Sequence, residues 1–306
     1  MTPAGRSGEL EALAALERLL PAAPPGETWI GDDAAVLRPP SGRLLLASDC
    51  LVEGVHFDRA LSSLADVGWK SLAVNLSDVA AMGGAPSAAV VAVAGASLDE
   101  LEQLYAGMVE AAERYGCPVV GGDLSSGSEL VLSAAVLGHV PAGQAVLRSG
   151  ARPGDALFVT GPLGRSAAGL RALREGSAGG ELARAHRRPE PRCEEGRAAR
   201  AAGARAMIDV SDGLAIDLDR LALASGVGVV LDEVPVAAGA TLADALSGGE
   251  DFELVFAAPD VATVRRAFAE AGLTSPTQIG SCSADSAERL LAGSPLAAEG
   301  YLHRLG

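Results

Sequence analysis

The sequence predicts an α/β protein built from two domains. Its 306 residues are enough for about two domains of ~100–200 residues each. Short apolar runs typical of strands alternate with longer segments of helical spacing. The stretch 141–155 (PAGQAVLRSGARPGD) is rich in Pro and Gly and has no periodicity, as is typical of a domain boundary. We therefore predict an N-terminal domain over residues 1–145 and a C-terminal domain over residues 146–306.

The elements of the first domain follow from apolar spacing and from residues that begin or end helices. Leucines recur at helical spacing near the N-terminus, and residues 39–42 (PPSG) separate two apolar runs. Ser97 and Glu100 form a capping box for a helix that Gly116 ends. The predicted order is helix 7–20, strands 29–37 and 43–51, a helix from 62 or 63 to 82, strand 87–94, helix 97–116, and strands 119–120 and 130–140.

The second domain alternates in the same way. A predicted strand over residues 156–160 leads into a Gly-Pro-Leu-Gly turn and a helix. Further strands are predicted over residues 206–210, 227–231, 252–257 and 278–281, with helices between them.

Composition limits the classes of partner. The chain carries 24 Lys+Arg against 39 Asp+Glu, a net charge of −15. A general nucleic-acid binder needs a basic surface, so we expect no nucleic-acid partner. The first residues lack the features of a secretory signal, and no uninterrupted apolar stretch reaches the ~18 residues of a membrane helix. We therefore expect no membrane partner and a cytoplasmic location.

Aspartates recur where a predicted strand ends or a Gly-rich turn begins. Asp78 differs, because it lies inside a predicted helix that is otherwise nearly all apolar. Repulsion among so many carboxylates would raise their pKa values unless a cation joined them. Mg²⁺ prefers oxygen ligands and binds through carboxylates together with substrate phosphates. The pattern predicts a shared magnesium–phosphate site, although each Asp–Gly pair taken alone is equally typical of a turn or a helix cap.

Competing sites are poorly represented in the sequence. There is no P-loop motif G-x-x-x-x-G-K-[ST] and no G-x-S-x-G nucleophile elbow. The four histidines are isolated from one another, and no two cysteines have the spacing of a zinc or dithiol site.

Seven stretches, in a fixed order along nearly the whole chain, carry a family resemblance. They are GDDAAVL at 31–37, SDCLVEGVHFD at 48–58, KSLAVNLSDVAAMGG at 70–84, GGD at 121–123, LRSGARPGD at 147–155, DVSDGL at 209–214 and LSGGEDFEL at 246–254. The chain resembles the thiamine-monophosphate kinase family. That family belongs to a superfamily with aminoimidazole ribonucleotide synthetase, selenophosphate synthetase and a hydrogenase-maturation protein.

The resemblance implies a fold, an activity and partners. The expected reaction is transfer of the γ-phosphoryl group of ATP to thiamine monophosphate, assisted by several Mg²⁺ ions, which gives thiamine diphosphate and ADP. The expected fold has an N-terminal α/β domain whose strands form a barrel across a homodimer, followed by a second α/β domain. No general base is expected, because the attacking phosphate oxygen is already anionic near neutral pH.

The resemblance also assigns roles to residues. The expected metal ligands are Asp32, Ser48, Asp49, Asp78, Asp123, Asp209 and Asp212. The expected ATP contacts are Gly122, Asp123, Arg148 and Ser211, and the expected contacts with thiamine monophosphate are His56, Glu250 and Tyr301.

Two alternatives stay open at this point. The chain could be another phosphoryl-transfer member of the same superfamily, or a non-catalytic protein that binds thiamine phosphate or a nucleotide. The many carboxylates disfavour the second alternative, because a protein that only binds has no need of so many.

Overall fold

The computed structural model describes residues 4–31, 33–177 and 179–303. The chain divides into two compact units. Unit 1 runs to Val79 and continues over Pro86–His139, and unit 2 comprises Ala80–Ala85 and the chain from Val140 onward. The short segment Ala80–Ala85 thus groups with the later part of the chain, which the boundary predicted from composition does not anticipate. None of the helices over the described residues has both the length and the apolar character needed to cross a membrane.

Unit 1 is mixed α/β, with one sheet of four strands in the order β1-β4-β2-β3, in which β2 and β3 run parallel. Its elements are α1 (Ala4–Leu19), β1 (Arg43–Val52), α2 (Leu64–Ala81), β2 (Ala85–Ala94), α3 (Leu98–Tyr115), β3 (Val119–Ser125) and β4 (Val131–Val140).

Helix α3 forms where local signals predict it. The Glu100 carboxylate accepts a hydrogen bond from the backbone N–H of Ser97 at 2.7 Å, which satisfies a donor that the helix itself leaves unpaired. Gly116 ends the helix in the left-handed conformation, at φ +64°. Leu104 and Met108, four residues apart, are fully buried on one face. The helix predicted over residues 97–116 is confirmed.

The strand predicted over residues 29–37 is wrong. In the structure, Thr28 and Val36 form an isolated antiparallel bridge, with backbone N···O distances of 3.0 and 2.7 Å. The chain therefore folds back on itself instead of extending. Val36 stays 58% exposed, so its side chain gains little from joining a sheet.

Unit 2 contains a sheet of seven strands in the order β11-β10-β7-β9-β5-β8-β6. Its elements are β5 (Ala156–Val159), α4 (Arg165–Arg174), α5 (Glu181–Arg187), α6 (Cys193–Ala201), β6 (Ala206–Asp209), α7 (Leu214–Ser225), β7 (Gly228–Leu231), α8 (Leu242–Ser247), β8 (Leu254–Ala258), α9 (Val261–Glu270), β9 (Thr277–Ser283), β10 (Arg289–Leu291) and β11 (Ser294–Pro295). Strands β10 and β11 were not predicted from the sequence.

The central strands of unit 2 bury apolar side chains on both faces. Leu157 and Val159 of β5 belong to a core that α7 shares through Leu218. Between them, Phe158 points to the opposite face, as the alternation of a strand requires. There Phe158 stacks on Phe256 of β8 with ring centroids 5.2 Å apart, and Phe256 stacks on Phe268 of α9 at 6.1 Å. All three rings are fully buried.

We expect the substitution Phe256→Ala to lower the free energy of unfolding by about 3–5 kcal/mol, because it empties the middle of this stack. Urea denaturation followed by circular dichroism measures the change. Leu223→Ala, at a position that is 68% exposed, is the control and should change the free energy by less than about 0.5 kcal/mol. A loss below about 1 kcal/mol in Phe256→Ala would contradict the central role of the stack.

Candidate functional site

In unit 1, one asparagine connects two of the predicted metal-binding positions. Asn75 is buried on α2, and its side-chain Oδ1 accepts a hydrogen bond from the backbone N–H of Asp49 at 2.8 Å. Its Nδ2 donates to the carbonyl of Ser71 at 2.9 Å. Asp78 lies three residues further along the helix, on the same side as Asn75 and half-buried. The end of β1 is therefore tied to the turn of α2 that precedes Asp78.

Three further predicted positions of unit 1, Ser48, Gly122 and Asp123, lie on the sheet. Ser48, on β1, donates from Oγ to the carbonyl of Ala134 at 3.0 Å. Asp123, on β3, is exposed, and its Oδ2 accepts from the Ser125 hydroxyl at 2.9 Å. A Cβ on Gly122 would lie 1.9 Å from the Val91 carbonyl, so glycine at this position has a packing reason independent of any ligand. Asp32 lies outside the described residues.

His56 sits on a compact turn that follows β1. Its backbone N–H donates to the carbonyl of Val52 at 2.9 Å, and its ring Nδ1 accepts from the backbone N–H of Val52 at 3.0 Å. A nitrogen that accepts carries no proton, so the neutral ring has its proton on Nε2. The buried ammonium of Lys70 donates to the His56 carbonyl at 3.0 Å and so holds the turn in place. The chain's only lysine therefore has a structural partner.

In unit 2, the loop that follows β6 is organised by a carboxylate that the sequence analysis missed. Asp217, fully buried in the first turn of α7, accepts hydrogen bonds at Oδ2 from the backbone N–H groups of Ser211, Asp212 and Gly213 at 3.1, 2.9 and 3.1 Å. These three residues follow Asp209, the last residue of β6. Asp217 thus accepts from every backbone N–H of residues 210–213 except that of Val210, which donates to the carbonyl of Glu253 at 2.8 Å.

The carboxylates of this loop repel one another. Burial raises the pKa of Asp217 to about 6, and the charges of Asp209 and Asp212 add to the rise although three backbone N–H groups oppose it. Arg220 offsets part of the repulsion, because one of its nitrogens lies 2.5 Å from Asp212 Oδ2 and 2.7 Å from Asp217 Oδ1. Two of the three carboxylates therefore share one guanidinium nitrogen.

The turn before β8 rests against the same loop in a strained conformation. Glu250 and Phe252 have φ values of +56° and +50°, a region that disfavours residues other than glycine. The Glu250 N–H donates to the carbonyl of Ser211 at 2.7 Å, and the Phe252 N–H donates to that of Val210 at 2.9 Å. The strain explains why β8 begins at residue 254 rather than at the predicted residue 252.

Asp251, between these two residues, holds the turn from the other side. Its carboxylate accepts from the backbone N–H groups of Gly164 and Ser166 at 2.6 and 3.1 Å, and so caps α4. Burial raises the pKa of Asp251 to about 6, although these N–H donors act in the opposite direction. A Cβ on Gly249 would lie 2.8 Å from the Ser211 carbonyl, and its φ is +69°, so only glycine fits there.

The two remaining predicted residues differ in how close they come to this loop. The backbone N–H of Tyr301 donates to the carbonyl of Asp212 at 2.9 Å, while the Tyr301 ring is 46% exposed. Arg148 is exposed, and its backbone carbonyl accepts from the Ser225 hydroxyl at 3.0 Å. The structure therefore gathers Asp209, Ser211, Asp212, Glu250 and Tyr301 around one loop, and leaves the Arg148 side chain at the surface.

The described residues do not by themselves form a metal cage. Over residues 4–31, 33–177 and 179–303, no three His, Cys, Asp or Glu side chains are arranged to hold a metal ion. The donors present are nevertheless of the type that Mg²⁺ takes, since it binds through one or two carboxylates and completes its shell with water and substrate phosphate. The repulsion within the Asp209–Asp212–Asp217 cluster also favours a further cation.

Asp217 could have been found by the reasoning that singled out Asp78. It too is a carboxylate in a nearly apolar helical run, LAIDLDRLALA, where an unpaired charge would be costly. Asp251 belongs to the acidic stretch 246–254 that the sequence singles out, but its partners and those of Glu253 could not be predicted, because they come from distant parts of the chain.

Two family models match most of the chain. Residues 31–140 match "AIR synthase related protein, N-terminal domain", and residues 152–292 match "AIR synthase related protein, C-terminal domain".

Relatives and solved structures identify the narrower family, within the AIR synthase related proteins, that the chain resembles. The chain is 41% identical over 248 residues to a thiamine-monophosphate kinase of Bacillus subtilis, covering 74% of this chain and 76% of the relative. The crystal structure of a thiamine-monophosphate kinase from Stenotrophomonas maltophilia superposes with a TM-score of 0.79 at 33% identity, over 94% and 96% of the two chains. The structure of AaThiL complexed with AMPPCP and TMP superposes with a TM-score of 0.77 at 31% identity, over 99% of each chain. The chain therefore belongs to the thiamine-monophosphate kinase family.

Proposed function

We propose that this chain transfers the γ-phosphoryl group of ATP to the phosphate of thiamine monophosphate in the cytoplasm, giving thiamine diphosphate and ADP. The observation that carries the proposal is the match, over 99% of both chains, with a relative solved in complex with AMPPCP and TMP. AMPPCP is an analogue of ATP that resists transfer. The proposed partners are therefore a nucleoside triphosphate and a small phosphate ester.

The acidic loops supply what this reaction needs. Bringing two polyanions together in line is the main difficulty, and positioning with charge stabilisation supplies most of the catalysis. We assign magnesium binding to carboxylates and one hydroxyl of both units: Asp32, Ser48, Asp49, Asp78, Asp123, Asp209 and Asp212. Bound Mg²⁺ would neutralise phosphate charge on both substrates.

The other assigned residues bind and orient the substrates. Gly122, Asp123, Arg148 and Ser211 would contact ATP. The exposed guanidinium of Arg148 suits a bidentate phosphate contact. His56, Glu250 and Tyr301 would contact thiamine monophosphate. His56 would do so through Nε2–H, because its Nδ1 is engaged with Val52. No residue needs to act as a general base.

We also propose a homodimer, with the N-terminal domain (residues 1–145) serving metal and ATP binding as well as dimerisation, and residues 146–306 forming the C-terminal domain. Strand β1 is an edge strand, and Leu44 and Leu46 on one of its faces are 58% and 76% exposed. Val90 of the same sheet is 41% exposed. An open sheet face with such side chains is typical of an interface, and closing strands of two copies into a barrel would cover it.

The reaction itself is tested by incubating the purified protein with thiamine monophosphate, ATP and Mg²⁺. We expect thiamine diphosphate, measured by fluorescence after oxidation, in amounts equal to the ADP formed and dependent on magnesium. ATP binding without product would refute the kinase assignment and favour another substrate of the superfamily. Tight binding of both ligands without ADP would instead identify a non-catalytic binding protein.

Asp212→Asn should lower kcat by at least about 100-fold and raise the magnesium concentration needed for half-maximal rate, because it removes a ligand charge without changing size. Asp219→Asn is the matched control. Both aspartates are half-buried and bonded to an arginine, Asp212 to Arg220 and Asp219 to Arg289 at 2.8 Å. The control should stay within about twofold of the wild type. Equal losses in both variants would contradict the role of Asp212.

Leu46→Asp should convert the protein from a dimer to a monomer of 30.7 kDa, because it places a charge on the open face of the sheet. Light scattering coupled to size-exclusion chromatography measures the mass. Leu223→Asp, at an equally exposed position of unit 2, should leave the dimer intact. A monomeric wild type would refute the dimer proposal directly.

A further inference from the structure

A serine, a histidine and a glutamate form a short chain of contacts within unit 2. The His186 ring nitrogen Nδ1 lies 2.9 Å from Ser166 Oγ and 3.4 Å from Glu250 Oε2. Ser166 is in the first turn of α4 and His186 is near the end of α5. Helices α4 and α5 pack on each other, and His186 Nδ1 links both of them to Glu250 in the strained turn.

The three groups differ in exposure. Ser166 and His186 are 2% and 7% exposed, whereas the Glu250 side chain is 29% exposed. Glu250 also borders a cavity of about 130 Å³ that Arg165 and Arg184 help to line. A fixed, buried imidazole therefore contacts a carboxylate that still faces open space.

The chemistry of Nδ1 decides what this contact can do. A carboxylate only accepts hydrogen bonds, so the contact with Glu250 requires a proton on Nδ1. The Ser166 hydroxyl can accept from that same N–H, and it can donate to Nδ1 when the nitrogen carries no proton. The serine can therefore hold the ring in place in either state. The ring in turn limits the rotation of a side chain with three free torsions.

Helix α4 also holds the backbone of the turn that contains Glu250. Asp251 caps the N-terminus of α4 through Gly164 and Ser166, so the helix that carries the Ser166 hydroxyl is bonded to the residue after Glu250. Helix α4 thus restrains the backbone of Glu250 through Asp251, and its side chain through Ser166 and His186.

We infer that His186, held by Ser166, is a positioning residue that orients the Glu250 carboxylate for binding of the phosphate acceptor. The inference rests on the proposed function, in which Glu250 contacts thiamine monophosphate. It adds a specificity role for two buried residues that act through the Glu250 carboxylate.

The test compares steady-state kinetics of wild type, His186→Leu, His186→Asn and Ser166→Ala. The Asn amide can replace Nδ1–H as a donor and Leu cannot. We expect His186→Leu to raise KM for thiamine monophosphate about tenfold, with kcat and KM for ATP within about twofold of wild type. His186→Asn should recover most of the affinity, and Ser166→Ala should show a smaller loss of the same kind.

His139→Leu is the matched control, because His139 Nδ1 lies 2.9 Å from Ser87 Oγ in unit 1, the same distance as in the His186–Ser166 pair. It should leave all three constants unchanged. If His186→Leu fails to fold, Ser166→Ala carries the test. An active wild type with an unchanged KM for thiamine monophosphate in both His186→Leu and Ser166→Ala, or with KM for ATP raised equally, overturns the inference alone. A wild type with no activity on thiamine monophosphate refutes the proposed function and the inference with it.

Discussion

One buried carboxylate determines the shape of the loop on which the rest of unit 2 depends. Asp217 accepts hydrogen bonds from the backbone N–H groups of Ser211, Asp212 and Gly213. Those N–H groups lie at the start of α7, where a helix leaves donors unpaired and an anion is favoured. With the loop fixed by its donors, its carbonyls are left to accept from Glu250 and Tyr301. Two of the three predicted substrate residues, Glu250 and Tyr301, are thus bonded to the backbone of the predicted metal loop.

The same carboxylate adds a third negative charge next to Asp209 and Asp212 in this loop. Burial and two neighbouring aspartates raise the pKa of Asp217 to about 6, and Arg220 is shared between two of the three carboxylates. In unit 1 the buried Lys70 ammonium donates a hydrogen bond to a backbone carbonyl of the His56 turn. The proposed divalent cations would add positive charge beside these carboxylates, where a phosphate is to bind.

Local signals in the sequence predicted the parts of the fold that local interactions decide. Helix α3 carries its own capping box and terminating glycine, and it forms as predicted. The run over residues 29–37 had no such signals, and its apolar residues were insufficient to make it a strand, because Thr28 and Val36 pair with each other in an isolated antiparallel bridge. Strand β10 is only three residues long and is held by parallel pairing with β7, a distant partner that a sequence pattern does not reveal.

In the candidate site, too, local features could be predicted from the sequence and long-range contacts could not. Aspartates at the ends of strands could be recognised from the sequence, since the chemistry of a carboxylate beside a glycine is visible there. The partners of Asp251 and Glu253 could not be recognised. Asp251 bonds to Gly164 and Ser166, and Glu253 forms a buried two-fold contact with Arg192 at 2.9 and 2.5 Å. Both pairs join segments separated by more than sixty residues, and only folding brings them together.

The strained turn connects these observations to function. Glycine would adopt the conformation of residue 250 without cost, whereas a residue with a Cβ costs about 1–2 kcal/mol in the left-handed region. Asp251 accepts hydrogen bonds from the N-terminus of α4, and the turn donates hydrogen bonds to the loop after β6. These bonds offset the cost, so the fold can keep a glutamate at a position where the backbone conformation favours glycine. What glutamate contributes there and glycine cannot is an anionic group, half-exposed and held beside a buried histidine. A strained turn of this kind, with a carboxylate that borders a cavity, is typical of a functional site.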